Sequence, residues 1–139
     1  MNLYPKSCID VFVTVLEDDG GVLAAAITAT GLALSDAQIG LYDNITGASV
    51  SIHGDEVLID PTLAELSSHQ GEEGQGNITV GYLNSSEQVV CLVSQGVLNP
   101  QQFNKALDLA VNQCGVLVPA VQECQIETYQ KKVDKEPQP

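Results

Sequence analysis

Residues 8–38 read CIDVFVTVLEDDGGVLAAAITATGLALSDAQ, and the spacing of the apolar positions changes midway through them. From Cys8 to Leu16 the residues are largely β-branched, with Ile9, Val11, Val13 and Val15 on one face and Asp10, Phe12, Thr14 and Leu16 on the other. That period of two predicts a strand, buried on its first face and partly buried on its second. Glu17-Asp18-Asp19-Gly20-Gly21 stops it. From Val22 to Gln38, alanines together with Leu23, Ile27, Leu32 and Leu34 are spread around nearly the whole circumference of a helix. Such a helix is expected to be buried on most sides, its small residues permitting close backbone approach.

Working outward, Asp43 to Ile52 alternates weakly, a turn falls at His53-Gly54-Asp55, and Val57-Leu58-Ile59 is a short strand, so the pair reads as a hairpin. Residues 61–76 hold Glu65, Glu72, Glu73 and three glycines, which predicts a short helical turn and then an exposed acidic loop. Ile78–Leu83 and Gln88–Val93, joined by Asn84-Ser85-Ser86-Glu87, form a second hairpin. Asn99-Pro100-Gln101-Gln102 supplies a side-chain cap, a proline at the first helical position and a glutamine at the third. Behind it, apolar residues from Phe103 to Val121 recur at helical spacing, with Gly115 and Pro119 expected to bend or weaken the helix. Lys131 and Lys132 suit its C-terminal dipole, and 134–139 reads as a disordered tail. The order β-α-ββ-(short α)-ββ-α is an α+β fold with antiparallel hairpins and a long C-terminal helix.

A chain of 139 residues makes one domain at most, and 44% apolar against 17% charged residues is a composition that folds. Its 18 acids face five lysines (Lys6, Lys105, Lys131, Lys132, Lys135) and no arginine, for a net charge of −13. Autonomous nucleic-acid binding needs several convergent cations, so this balance argues against it. Cys8, Cys91, Cys114 and Cys124 contain no C-x-x-C pair, which argues against zinc. No apolar signal core follows Met1, so reduced thiols in cytosol or nucleus are expected.

Three arrangements invite chemistry. The Gly20-Gly21 turn into a helix is where backbone N–H groups can hold an anion, but Val22-Leu23-Ala24 adds neither hydroxyl nor cation, and a tight structural turn is the expectation. Asp60, Glu65, Glu72 and Glu73 would make a magnesium site only if they converged, and Asp60 before Pro61-Thr62 reads instead as a cap. His53 and His69 have no serine or cysteine partner at a recognised spacing and read as solvated loop residues.

Tyr4-Pro5-Lys6-Ser7-Cys8-Ile9-Asp10-Val11, Leu16 to Gly21, Ala25-Ala26-Ile27-Thr28-Ala29 and Leu32 to Ala37 resemble the central segment of the ribonuclease PH family. The likeness continues through Val57-Leu58-Ile59-Asp60 and both hairpins to the last helix, and it covers only the second half of the family's domain. It implies that 1–40 is the incomplete end of domain 1, a strand and a buried helix, and that 41–133 is domain 2. The chain then looks like a fragment, an isoform or a shortened gene model. Family members that degrade RNA by phosphorolysis hold phosphate partly through a Thr/Ser-Arg pair after the Gly-Gly, and a metal through two acids six residues apart. At those positions stand Val22 and Leu23, and Asp60 followed by Leu66, so the resemblance implies no catalytic, cofactor-binding or metal-binding residue and no cofactor.

Within the family, Leu16-Glu17-Asp18, Tyr42-Asp43, Ile59-Asp60-Pro61-Thr62 and Cys114 to Pro119 are similar to exosome ring subunits of the component-6, mRNA-transport-regulator type, with the component-5 type the nearest rival. What this implies is a non-catalytic subunit of the hexameric ring of the RNA exosome. Its partners would be other ribonuclease PH-like subunits and cap subunits. RNA would meet it indirectly, through the channel, in nucleus, nucleolus and cytoplasm. A phosphorolytic exoribonuclease and a free-standing acidic interaction module are the alternatives.

Overall fold

The computed structural model describes residues 6–67 and 74–134. Its elements are α1 (Val22–Asp36), β1 (Ile45–His53), β2 (Glu56–Ile59), α2 (Leu63–Ser67), β3 (Gln75–Leu83), β4 (Gln88–Val97) and α3 (Pro100–Val133). The four strands form one antiparallel sheet in the order β2-β1-β3-β4. The α+β architecture expected from the sequence is therefore present, with both hairpins and the long final helix.

Local chemistry explains the hairpins. His53 pairs with Glu56 across the two-residue turn Gly54-Asp55, and Gly54 takes the positive φ of 62° that such a turn requires. At the other end of the sheet Asp43 accepts hydrogen bonds from the backbone N–H groups of Ser85 and Ser86 at 2.8 and 3.0 Å, fixing the β3–β4 turn onto the start of β1.

Alternation along β1 sends Thr46, Ala48, Val50 and Ile52 to the face that α3 covers. Val50, Ile52, Ile78 and Val80 join Ala106 and Ala110 of α3 in the core, each 1% exposed or less. Burying side chains of this size stabilises by about 1.5–3 kcal/mol each. The alanines let α3 approach the sheet closely. At its start Asn99 accepts from the Gln102 N–H at 2.8 Å while the Gln102 side chain accepts from the Asn99 N–H at 3.1 Å, the full reciprocal cap.

The expectations for the N-terminal segment need correction. Residues 8–16 form no strand with any described residue. Val13 lies against α1, and Ile9 and Val11 are about half covered at 49% and 48% exposure, but Phe12 and Leu16 are open at 91% and 95%. The two-faced pattern was real, but a strand exists only with a paired neighbour, and the ladder ends elsewhere. Helix α1 is likewise less buried than its composition suggests, with only Ala24 and Gly31 fully enclosed.

Helix α3 is one element through Gly115 and Pro119, the two positions at which the sequence is expected to bend or weaken it. The carbonyl that Pro119 deprives of a partner belongs to residue 115, a glycine on the exposed side, so water can satisfy it and no side chain is crowded. Lys131 and Lys132 both fall in the last turn of α3, where its dipole favours them, and Lys132 also donates to the carbonyl of Asp36 at the C-terminus of α1 and pairs with the Asp36 carboxylate at 2.7 Å. His69, Glu72, Glu73, Tyr4, Pro5 and 135–139 of the expected tail lie outside the described residues, while Asp134 closes the last turn of α3.

Candidate functional site

The N-terminus of α1 is held by the loop before α2. Gly20, at φ 120°, forms an antiparallel bridge with Thr62, and the Leu63 N–H donates to the Asp19 carbonyl at 2.9 Å. A side chain at residue 20 would run into the Pro61 carbonyl, so glycine is required twice over. Asp18 receives the Gly20 N–H at 3.0 Å. Gly21 caps α1 without a side-chain hydrogen bond, and the first turn contains no acid.

Asp60 arrives beside this terminus. Its N–H bonds to the Ser49 carbonyl at 2.9 Å, its φ is 53°, and its Oδ1 lies 2.7 Å from where a Cβ on Gly21 would stand. The expected capping role passes to Thr62. The Glu65 carboxylate accepts from the Thr62 N–H at 2.7 Å and the Thr62 hydroxyl at 2.8 Å. Those two bonds hold the Glu65 carboxyl below the usual carboxylate range, with the nearby His53 a minor contribution. Glu65 is thereby engaged at the start of α2, alongside Leu66, which is half-buried.

A cavity of about 510 Å3 opens between α1, β1 and α3, lined by Gly21, Ala24, Thr28, Ser49, Asp60 and Leu117 among others. Its lining combines the Asp60 carboxylate, the hydroxyls of Thr28 and Ser49 and the Gln113 amide with apolar side chains, and among the described residues no lysine contributes. Among the described residues, no group of three or more His, Cys, Asp or Glu is placed to hold a metal ion. The geometry thus brings Asp60 to Gly21 at the α1 N-terminus, with half-buried Leu66 one turn into α2. An anion entering here would meet free backbone N–H groups and the Asp60 carboxylate, with no cation to offset the latter.

His53 is placed differently from the sequence expectation. It ends β1, is half-buried, and its Nε2 lies 3.0 Å from the Ser51 hydroxyl. Serine and histidine two apart on a strand share a face, so the Ser51-Ile52-His53 spacing carried the signal once β1 was extended to residue 53. Ser51 is buried and also reaches the Gly76 carbonyl at 3.4 Å, so the pair serves the sheet interior.

Residues 1–40 match domain 1 of the 3′ exoribonuclease family, and residues 43–113 match domain 2. The chain is 32% identical over 111 residues to the exosome complex component Rrp41 of Nitrosopumilus maritimus, covering 80% of this chain and 43% of that protein. It is 35% identical over 108 residues to the exosome complex component mtr3 of Schizosaccharomyces pombe, covering 75% of this chain and 41% of the relative. In structure it is similar to rice Rrp46, with a TM-score of 0.66 at 19% identity over 79% of this chain and 49% of that one. The chain therefore spans less than half the length of these relatives. With the domain 2 match alone running over residues 43–113, just over half of its 139 residues, the chain belongs to the 3′ exoribonuclease family.

Proposed function

We propose that this chain is a non-catalytic structural subunit of the hexameric ring of the RNA exosome, of the component-6, mRNA-transport-regulator type, supporting 3′-to-5′ RNA processing and degradation. The observation that carries this reading is the α1 terminus. Val22 and Leu23 stand where a hydroxyl and an arginine would be needed, Leu66 stands where a second acid would be needed, and among the described residues no cation lines the adjoining cavity. Stabilising a transferring phosphoryl group calls for preorganised positive charge, and Asp60 alone is of the wrong sign. Similarity to proteins named as exosome components in an archaeon and a yeast supports the assembly.

On this reading other ribonuclease PH-like subunits and cap subunits are the partners. RNA passes through the ring without depending on this chain's own charge, and the protein works in nucleus, nucleolus and cytoplasm. The proposed division puts the end of domain 1 in 1–40 and domain 2 in 41–133. A second reading, a phosphorolytic exoribonuclease, draws support from the retained Asp60 beside a helix N-terminus. Affinity purification of the tagged endogenous protein tests the assembly. Exosome subunits in near-equal amounts are expected, and their absence from a well-folded, monomeric sample would favour a free-standing acidic module.

A further inference from the structure

Strand β4 is the outermost strand of the sheet, and no described residue pairs with its free edge. Natural edge strands are normally blunted by charges or proline, because an open row of N–H and C=O groups is a template for another strand. The run from Gln88 to Val97, QVVCLVSQGV, contains neither a charged residue nor a proline. Its apolar side chains are open on both faces, with Val89 and Leu92 each 43% exposed, Val90 51% and Val97 62%. Both long helices pack chiefly on β1 and β3, so β4 lies outboard of them. From its inner side it is held by pairing with β3, from Gln75 opposite Val97 to Leu83 opposite Gln88. One bulge leaves Val90 between the Gly81–Cys91 and Tyr82–Val89 pairs, so that the regular edge runs from Cys91 to Val97. The edge is thus ordered before any partner arrives, which lowers the entropic cost of adding a strand.

Charge selects the occupant. A second copy would bring its own −13 against the −13 of this chain, whereas a chain of net positive charge is attracted to it and meets an uncharged strand at the edge. We propose that the free edge of β4 pairs with an extended strand of a different, basic protein subunit. This rests on the ring reading for the partner's class, a ribonuclease PH-like subunit. A lysine at the edge removes the apolar contact and follows the device by which natural sheets refuse such pairing.

The test co-expresses the full chain with each ribonuclease PH-like exosome subunit of the same organism, as wild type, as Leu92→Lys, and as Val116→Lys, an exposed control on α3. Circular dichroism checks that each variant folds, and hydrogen exchange follows residues 88–97 of the wild-type chain, free and in the complex. Capture of a net-positive subunit is expected, weaker at ~0.5 M than at ~0.1 M salt. About tenfold less capture is expected for Leu92→Lys and none lost for Val116→Lys, with β4 amides slowed in the complex, tenfold corresponding to about 1.4 kcal/mol. Equal capture of both variants with unchanged β4 exchange would overturn the edge docking and leave the ring reading standing. So would a homodimer lost in Leu92→Lys and strengthened by salt, or strong protection of every β4 amide in the free monomer. Failure of the wild type to capture any such subunit would overturn both.

Discussion

Gly47 marks a close approach of the sheet to α1. It pairs with Gly81 across β1 and β3, its N–H donates to the Thr28 hydroxyl at 2.9 Å, and any side chain there would strike the backbone of Ala24. Small residues in α1 announced a close contact, but only the fold reveals that its counterpart is a glycine pair in the sheet. Gly47→Val is expected to destabilise by about 1–3 kcal/mol through overpacking, read as a lower denaturation midpoint at unchanged m-value. Asp43 supplies a pH dependence. Partial burial pushes its carboxyl up, but hydrogen bonds from Ser85, Ser86 and Asn44 together outweigh that and hold it below its usual value of 3.8. A depressed carboxyl contributes stability above its unfolded value and loses it as the pH falls through the lower folded value. Thermal melts between pH 5 and pH 2 are therefore expected to show a steeper acid loss for wild type than for Asp43→Asn. The burial of Cys114 acts oppositely, pushing that thiol up so that its contribution fades above its usual value of 9.0.

Among the elements, α3 was readable because its instructions are local. Asn99, Pro100 and Gln102 lie within one turn, and the structure closes the reciprocal cap from those residues alone. Asn99→Ala is expected to cost about 1 kcal/mol, measured by urea denaturation, with Gln102→Ala adding less than its separate value because the two act together. The hairpins were readable for a similar reason, since turn residues and alternation sit side by side. Residues 8–16 show the limit, for their alternation describes which faces are apolar but not whether a neighbouring strand exists. Lys132 shows it again. Its charge fitted the end of α3, yet its partner Asp36 is 96 residues away, a contact that depends on how far α3 extends past the sheet.

Across the whole molecule the open apolar surface is organised. Phe12 and Leu16, the edge of β4, and Ile126 and Tyr129 on the far half of α3 are exposed around a chain of net charge −13. A surface that is both acidic and apolar suits burial against other protein chains more than contact with RNA. The candidate site was partly readable in the same way. The proposal that the site lacks its functional groups starts from Val22, Leu23 and Leu66 in the sequence, but the placement of Asp60 against Gly21 required the bridge between Gly20 and Thr62, which no local pattern encodes. The central claim is that this site does no chemistry. It is tested most directly by incubating the purified chain, alone and within an assembled ring, with single-stranded RNA, inorganic phosphate and magnesium, and measuring nucleoside diphosphate. The account predicts no release that depends on Asp60. Release by the wild-type chain that Asp60→Ala abolishes would contradict it.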